Sequence, residues 1–124
     1  KLTSIANKNT AVILNIEGED AVKNLDKILA VENIDILFVG LFDLSKALGI
    51  PGDVTNPLVI DYLGEIIEKG NSAEKYVGTI ATTKEKIVEF YEMGVKYIVY
   101  LVDCDVIRSA YASVVEVFKV EANK

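Results

Sequence analysis

Ile36-Leu37-Phe38-Val39-Gly40 is a run of four β-favouring apolar residues closed by a glycine. No polar residue alternates with the apolar ones, so the strand it predicts is buried on both faces. A run of the same kind stands upstream, Ala11-Val12-Ile13-Leu14-Asn15-Ile16, and two more stand downstream, Lys75 to Ala81 and Lys96 to Val102. The third run is the weakest, because Gly78 interrupts it. Between the runs the apolar period lengthens to that of a helix. Ala21, Leu25, Ile28 and Leu29 predict a helix from about Asp20 to Ala30, and Val59, Ile60, Leu63, Ile66 and Ile67 one from about Leu58 to Lys69. Ile87, Val88, Phe90 and Tyr91 mark a third, with Thr82 or Thr83 as N-cap, Glu85 in its first turn and Gly94 closing it. The last helix carries Ile107, Ala110, Tyr111, Val114, Val115 and Phe118, with Asp103 or Asp105 as its cap.

Strict alternation of strand and helix predicts parallel strands. Two architectures satisfy it, a doubly wound open sheet and one half of an α/β barrel, and periodicity does not choose between them. Residues 1–10 carry no strand signal and read as the tail of a helix plus a loop. The chain begins at Lys1, which reads as a fragment or a processed product. At 124 residues, it has enough material for one domain and about half of the roughly 250 residues of a complete barrel.

Composition narrows the function. The net charge of −6 and a pI near 4.6 argue against nucleic acid as a partner, which requires a basic surface to displace counterions. No apolar run approaches the roughly 20 residues of a membrane span, and no secretory leader pattern is present. Cys104 is the single cysteine, which excludes an internal disulfide and fits a cytoplasmic setting.

Two acids stand just past the ends of strands, where parallel α/β folds place their chemistry. Glu17 follows the first run and Asp43 follows the second. If those strands are neighbours their ends are about 4.8 Å apart, and the two carboxylates can converge on a divalent cation. Hard oxygen donors suit Mg2+ or Mn2+. The plainer reading makes Glu17 a loop acid near a helix N-terminus and Asp43 the cap of a short helix, Leu44 to Leu48.

Ile16-Glu17 followed by Ala21 to Leu29, Ile34-Asp35-Ile36-Leu37-Phe38-Val39-Gly40, and Asp43-Leu44-Ser45 leading to Leu48-Gly49 together resemble the metal-dependent (class II) pyruvate aldolases. That family includes 4-hydroxy-2-oxoheptanedioate aldolase and, more distantly, the citrate lyase β subunit. Asn56-Pro57 and Glu92-Met93-Gly94-Val95-Lys96-Tyr97 are similar to it as well. The resemblance implies an α/β fold of four consecutive βα units, the C-terminal half of a TIM (β/α)8 barrel, over residues 1–124. It implies a carbon–carbon lyase that cleaves 4-hydroxy-2-oxo acids to pyruvate and an aldehyde, and a homo-oligomer. Glu17 and Asp43 stand where the family binds its ion. Asn15, Gly40 and Phe42 stand where it holds the 2-oxo acid.

The sequence departs from that pattern in three places. Asn15 replaces a common glutamine, keeping the amide but losing one methylene of reach. Leu41-Phe42 replaces a proline-containing pair. The chain has no histidine, and Arg108 is its one arginine, so the family's general base and enolate-stabilising cation have no counterpart here. Arg108 reads as a surface residue. The rival reading is a non-catalytic truncated or designed half-barrel that self-associates. A phosphoryl-receiver-like doubly wound domain is a third reading, opposed by Thr82 at the exit of the third strand.

Overall fold

The computed structural model describes residues 5, 6 and 8–123. Residues 5, 6 and 8 are helical, and the rest of the helical tail expected before Thr10 lies outside the described residues. Four strands, β1 (Ile13–Ile16), β2 (Ile36–Val39), β3 (Tyr76–Ala81) and β4 (Tyr97–Tyr100), form one sheet in the order β1-β2-β3-β4. All three pairings are parallel. That order decides between the two architectures. A doubly wound sheet reverses direction at a switch point, whereas this sheet progresses strand by strand as a barrel wall does. The receiver-like reading falls with it.

The helices are α1 (Glu19–Lys23), α2 (Leu25–Leu29), α3 (Leu41–Ala47), α4 (Pro57–Ser72), α5 (Lys84–Met93) and α6 (Asp103–Ala122). The helix expected from Asp20 to Ala30 is two short helices that meet at Asn24, whose side-chain amide donates to the Asp20 carbonyl. A side chain that bonds the preceding turn competes with the helical ladder. Pro57 opens α4 behind Asn56, which accepts from the Leu58 amide. Thr83 caps α5 by accepting from Lys86 N, and hydrogen bonds from the Glu85 amide and the Thr83 side chain hold the Glu85 carboxyl below its usual range.

One face of the sheet carries the core. Ile16, Leu37, Val39, Val77 and Ala81 pack there with Leu63, Ile66 and Ile67 of α4 and Phe90 of α5. The other face is only partly covered. By strand alternation it holds Ile13, Asn15, Ile36, Phe38, Ile80, Tyr97 and Val99, and of these Ile36 alone is buried. Gly78, which weakens the third run in sequence, has a reason to be there. The Phe38 and Tyr97 rings meet edge to face across it, with centroids 6.1 Å apart, and a Cβ at Gly78 would fall 2.7 Å from both the ring and the carbonyl oxygen of Tyr97.

The apolar residues of α6, Ile107, Ala110, Tyr111, Val114, Val115 and Phe118, have the spacing of a face to be covered, yet the helix buries no residue, and Tyr111 and Phe118 are each 71% exposed. The chain enters it through Leu101, held at φ 52, a left-handed conformation that a branched residue rarely adopts. Its N-cap is Val102 without a side-chain cap. Asp103 accepts instead from Cys104 N, and Asp105 pairs with Arg108 at 2.9 Å.

Gly78→Ala is expected to lower stability by about 1–3 kcal/mol through overpacking. Gly64→Ala, inside α4 with nothing within 4 Å of the new methyl, is expected to raise it by roughly 0.5–1 kcal/mol. Urea denaturation of both variants measures the difference in sign.

Candidate metal and substrate site

β1 ends on Ile16, whose side chain is fully buried and whose register partner is Val39. The next residues, Glu17 and Gly40, therefore lie side by side, joined by Gly40 N donating to Ile16 O at 3.1 Å. The Glu17 side chain lies against Gly40. A Cβ there would approach Glu17 Cβ to 3.1 Å and Glu17 Oε2 to 3.3 Å. Any other residue at position 40 would press on this carboxylate.

Beyond Gly40, which is the N-cap of α3, Leu41 and Leu44 are buried and Phe42 and Asp43 are exposed. Asp43 is thus in the first turn of a helix that begins at Leu41, earlier than the expected Leu44. It is not the cap, and α3 has no side-chain cap bond. The positive end of the helix dipole favours a carboxylate at this position. Phe42, 53% exposed, borders a crevice of about 30 Å³ with Val54, Ile80 and Phe90. Asn15, exposed on β1, shares a face with Glu17 by strand alternation.

Glu17 and Asp43 thus occupy the same C-terminal rim of two adjacent parallel strands. Neither takes part in an ion pair or side-chain hydrogen bond among the described residues. Some other exposed acids are engaged, Glu19 with Lys23, which lowers the Glu19 pKa, and Asp26 and Glu65 with Lys69, which raises the Lys69 pKa. Among the described residues Glu32, Asp61, Glu74 and Glu92 are as free as the pair, so it is the position at the strand ends that marks Glu17 and Asp43. No cluster of three or more His, Cys, Asp or Glu side chains suited to a metal occurs among the described residues. Two carboxylates without a third protein ligand fit Mg2+ or Mn2+, which keep waters and substrate oxygens in the remaining positions.

A larger cleft, about 610 Å³, opens farther along the same rim between Thr82, Thr83 and Lys84 after β3 and Tyr100, Asp105 and Arg108 around β4. β3 separates it from the carboxylate pair in the sheet order. Arg108 is a surface residue on α6, bound to Asp105. The sequence reading assigned no role to Ser45 or Thr79, the two polar residues buried completely among the described residues. The available signal was a hydroxyl between apolar residues at Thr79, and at Ser45 a hydroxyl flanked by Leu44 and Lys46.

Residues 2–110 match the family described as HpcH/HpaI aldolase/citrate lyase. The chain belongs to this family. A 5-keto-4-deoxy-D-glucarate aldolase of Shigella boydii is 32% identical over 114 residues, covering 92% of this chain and 44% of that protein. A solved HpcH/HpaI aldolase/citrate lyase family protein from Burkholderia cenocepacia superposes with a TM-score of 0.82 at 30% identity, over 92% of this chain and 45% of the other. The HpcH/HpaI aldolase of Desulfitobacterium hafniense shares the fold, with a TM-score of 0.86 at 24% identity over 95% of this chain and 46% of the other. The chain therefore spans somewhat less than half the length of these relatives, and its four βα units correspond to half of a barrel.

Gly40→Ala is expected to push the Glu17 carboxylate aside and weaken Mn2+ binding about 10–100-fold, the usual cost of disturbing a ligand's support. Electron paramagnetic resonance of free Mn2+ measures it, and unchanged affinity would show that the seat at Gly40 does not matter.

Proposed function

We propose that this chain, as a single C-terminal half-barrel domain over residues 1–124, carries the metal-binding side of a pyruvate-type aldolase site. The reaction is reversible retro-aldol cleavage of a 4-hydroxy-2-oxo acid to pyruvate and an aldehyde. The observation that carries this reading is the placement of two carboxylates at the C-terminal ends of adjacent parallel strands, Glu17 seated over Gly40 and Asp43 in the first turn of α3. Membership in an aldolase/citrate lyase family supports it.

Glu17 and Asp43 would hold Mg2+ or Mn2+. The bound ion supplies Lewis acidity that polarises the 2-oxo group and stabilises charge developing there. Asn15 projects an amide on the Glu17 face and can orient a substrate oxygen. Gly40 leaves room beside the carboxylate, and Phe42 walls the adjoining crevice. Cleavage also requires a base for the hydroxyl proton and a cation near the developing enolate. The chain has no histidine, and its one arginine is bound to Asp105. These two parts come from outside the 124 residues.

The 124-residue chain by itself should therefore bind Mn2+ and turn over poorly. General acid–base catalysis is worth about 10²–10⁴-fold, and one preorganised donor for the developing charge about 10²–10³-fold. The assay supplies a 4-hydroxy-2-oxo acid with Mn2+ and follows pyruvate release from wild type and Asp43→Ala. Turnover in the usual enzyme range of about 1–10³ per second, lost in Asp43→Ala, would overturn the assignment of base and cation to another part of the barrel.

The partly uncovered sheet face, the open edges of β1 and β4 and the apolar stripe of α6 support a homo-oligomer. Sedimentation at micromolar concentration is expected to show a dimer or larger species, and a clean monomer would refute it. A non-catalytic half-barrel would also self-associate but would bind no metal at Asp43, which separates that reading. Cys104, exposed and unpaired, fits a reducing compartment such as the cytoplasm. Among the described residues no helix is long and apolar enough to cross a membrane.

A further inference from the structure

Ser45 and Thr79 are fully buried, and no other polar side chain among the described residues is. A hydroxyl taken out of water without a partner costs roughly 1–3 kcal/mol, so each must find an acceptor. Both find one on the short segment that carries Asp43. Thr79 Oγ1 donates to Val39 O at 2.8 Å, on the last residue of β2 before the chain turns at Gly40. Ser45 Oγ donates to Phe42 O at 2.7 Å and accepts from Gly52 N at 3.0 Å. The hydroxyls thus grip residues 39 and 42, on either side of the Gly40-Leu41 turn and directly before Asp43.

Backbone bonds from Gly40 N to Ile16 O at 3.1 Å and from Leu44 N to Gly40 O at 2.9 Å hold the start of the turn, and the two hydroxyls add the side-chain bonds that fix residues 39 and 42 on either side of it. α3 has seven residues, too few to persist through its own hydrogen bonds. Beneath it, Leu41 and Leu44 supply apolar contact, which holds a helix down without fixing its rotation. A hydrogen bond is directional and weakens steeply as its angle falls. Ser45 also ties the Ile50-Pro51-Gly52 loop back onto α3, so the far end of the helix cannot drift. Elsewhere the core is apolar, and a valine would fill the space of Thr79 without a hydroxyl to satisfy.

We propose that Ser45 and Thr79 are positioning residues that clamp the 39–43 segment so that Asp43 faces the same cation as Glu17. This role rests on the metal reading given above. Neither residue touches the ion; each acts through a backbone carbonyl.

The test is Mn2+ titration of the 124-residue chain, read by electron paramagnetic resonance, with thermal unfolding of each protein alongside. The proteins are wild type, Asp43→Ala, Ser45→Ala, Thr79→Val and Thr79→Ser. Asp43→Ala should abolish binding. Ser45→Ala and Thr79→Val should weaken it about 10–100-fold, as loss of a ligand's support does, at temperatures where both remain folded. Thr79→Ser, which keeps the hydroxyl, should recover most of the affinity even though it removes a buried methyl. If Ser45→Ala does not fold, the two Thr79 variants decide alone. Binding that depends on Asp43 yet is unchanged in Thr79→Val and Ser45→Ala, whatever their melting temperatures, would overturn the positioning role and leave the metal reading intact. Absence of binding in wild type, or equal binding in Asp43→Ala, would remove the metal reading and the clamp with it.

Discussion

The pairing of Ile16 with Val39 is the constraint on which the site depends. Those two residues end β1 and β2 in register, and both are fully buried, so neither strand can slip without turning a core side chain outward. Once they are fixed, the next residues on each strand must be neighbours, and these are Glu17 and Gly40. The missing side chain at position 40 then makes room for the carboxylate. The core therefore selects the position of the candidate ligand, and the glycine admits it.

The same face of the sheet that buries Ile16 and Val39 is closed by α4. Val59, Leu63, Ile66 and Ile67 of that helix meet Leu37 and Val77, and Asn56 with Pro57 starts the helix at its required position. Lys75 adds a polar tie at the opposite rim, donating to the Val31 and Ile34 carbonyls. Its four-carbon stem lets the ammonium reach the backbone that leads into β2. Polar bonds thus hold both ends of β2, through Lys75 below and Thr79 above.

The strands were legible in the sequence because parallel strands with both faces to cover are written as unbroken apolar runs, and Ile36 to Val39 is one. The cap at Thr83 was legible as a side chain with a free oxygen before a helical period, whereas Asn56 was read only as part of the family resemblance and is the cap of α4. Three further features were not legible. Gly78 looks like a break because a one-dimensional pattern does not show Tyr97 lying across it. Asn24 divides a helix through a bond to Asp20 O, which competes with a ladder that apolar spacing alone cannot weigh. The stripe on α6 has correct helical spacing, but spacing says only that a face will be covered and not by which chain. The carboxylates were legible as positions after strands. Ser45 and Thr79 were not, since a hydroxyl in the sequence gives no hint of which carbonyl it will meet.

The two faces of the sheet have different degrees of completeness, and the candidate ligands depend on the more complete one. Glu17 is set by the Ile16–Val39 register, and Asp43 by α3, which rests on Leu41, Leu44 and the bonds of Ser45. All of these belong to the helix-covered side or to the rim above it. The opposite face, with Ile13, Phe38, Tyr97 and Val99, still has apolar surface in contact with solvent, as does α6. Association through those surfaces would add burial without altering the strand register that positions Glu17. The supports that position Glu17 and Asp43 and the covering of the open face are therefore separable: the first lie in the closed core and the rim above it, and the second adds burial on the other side of the sheet.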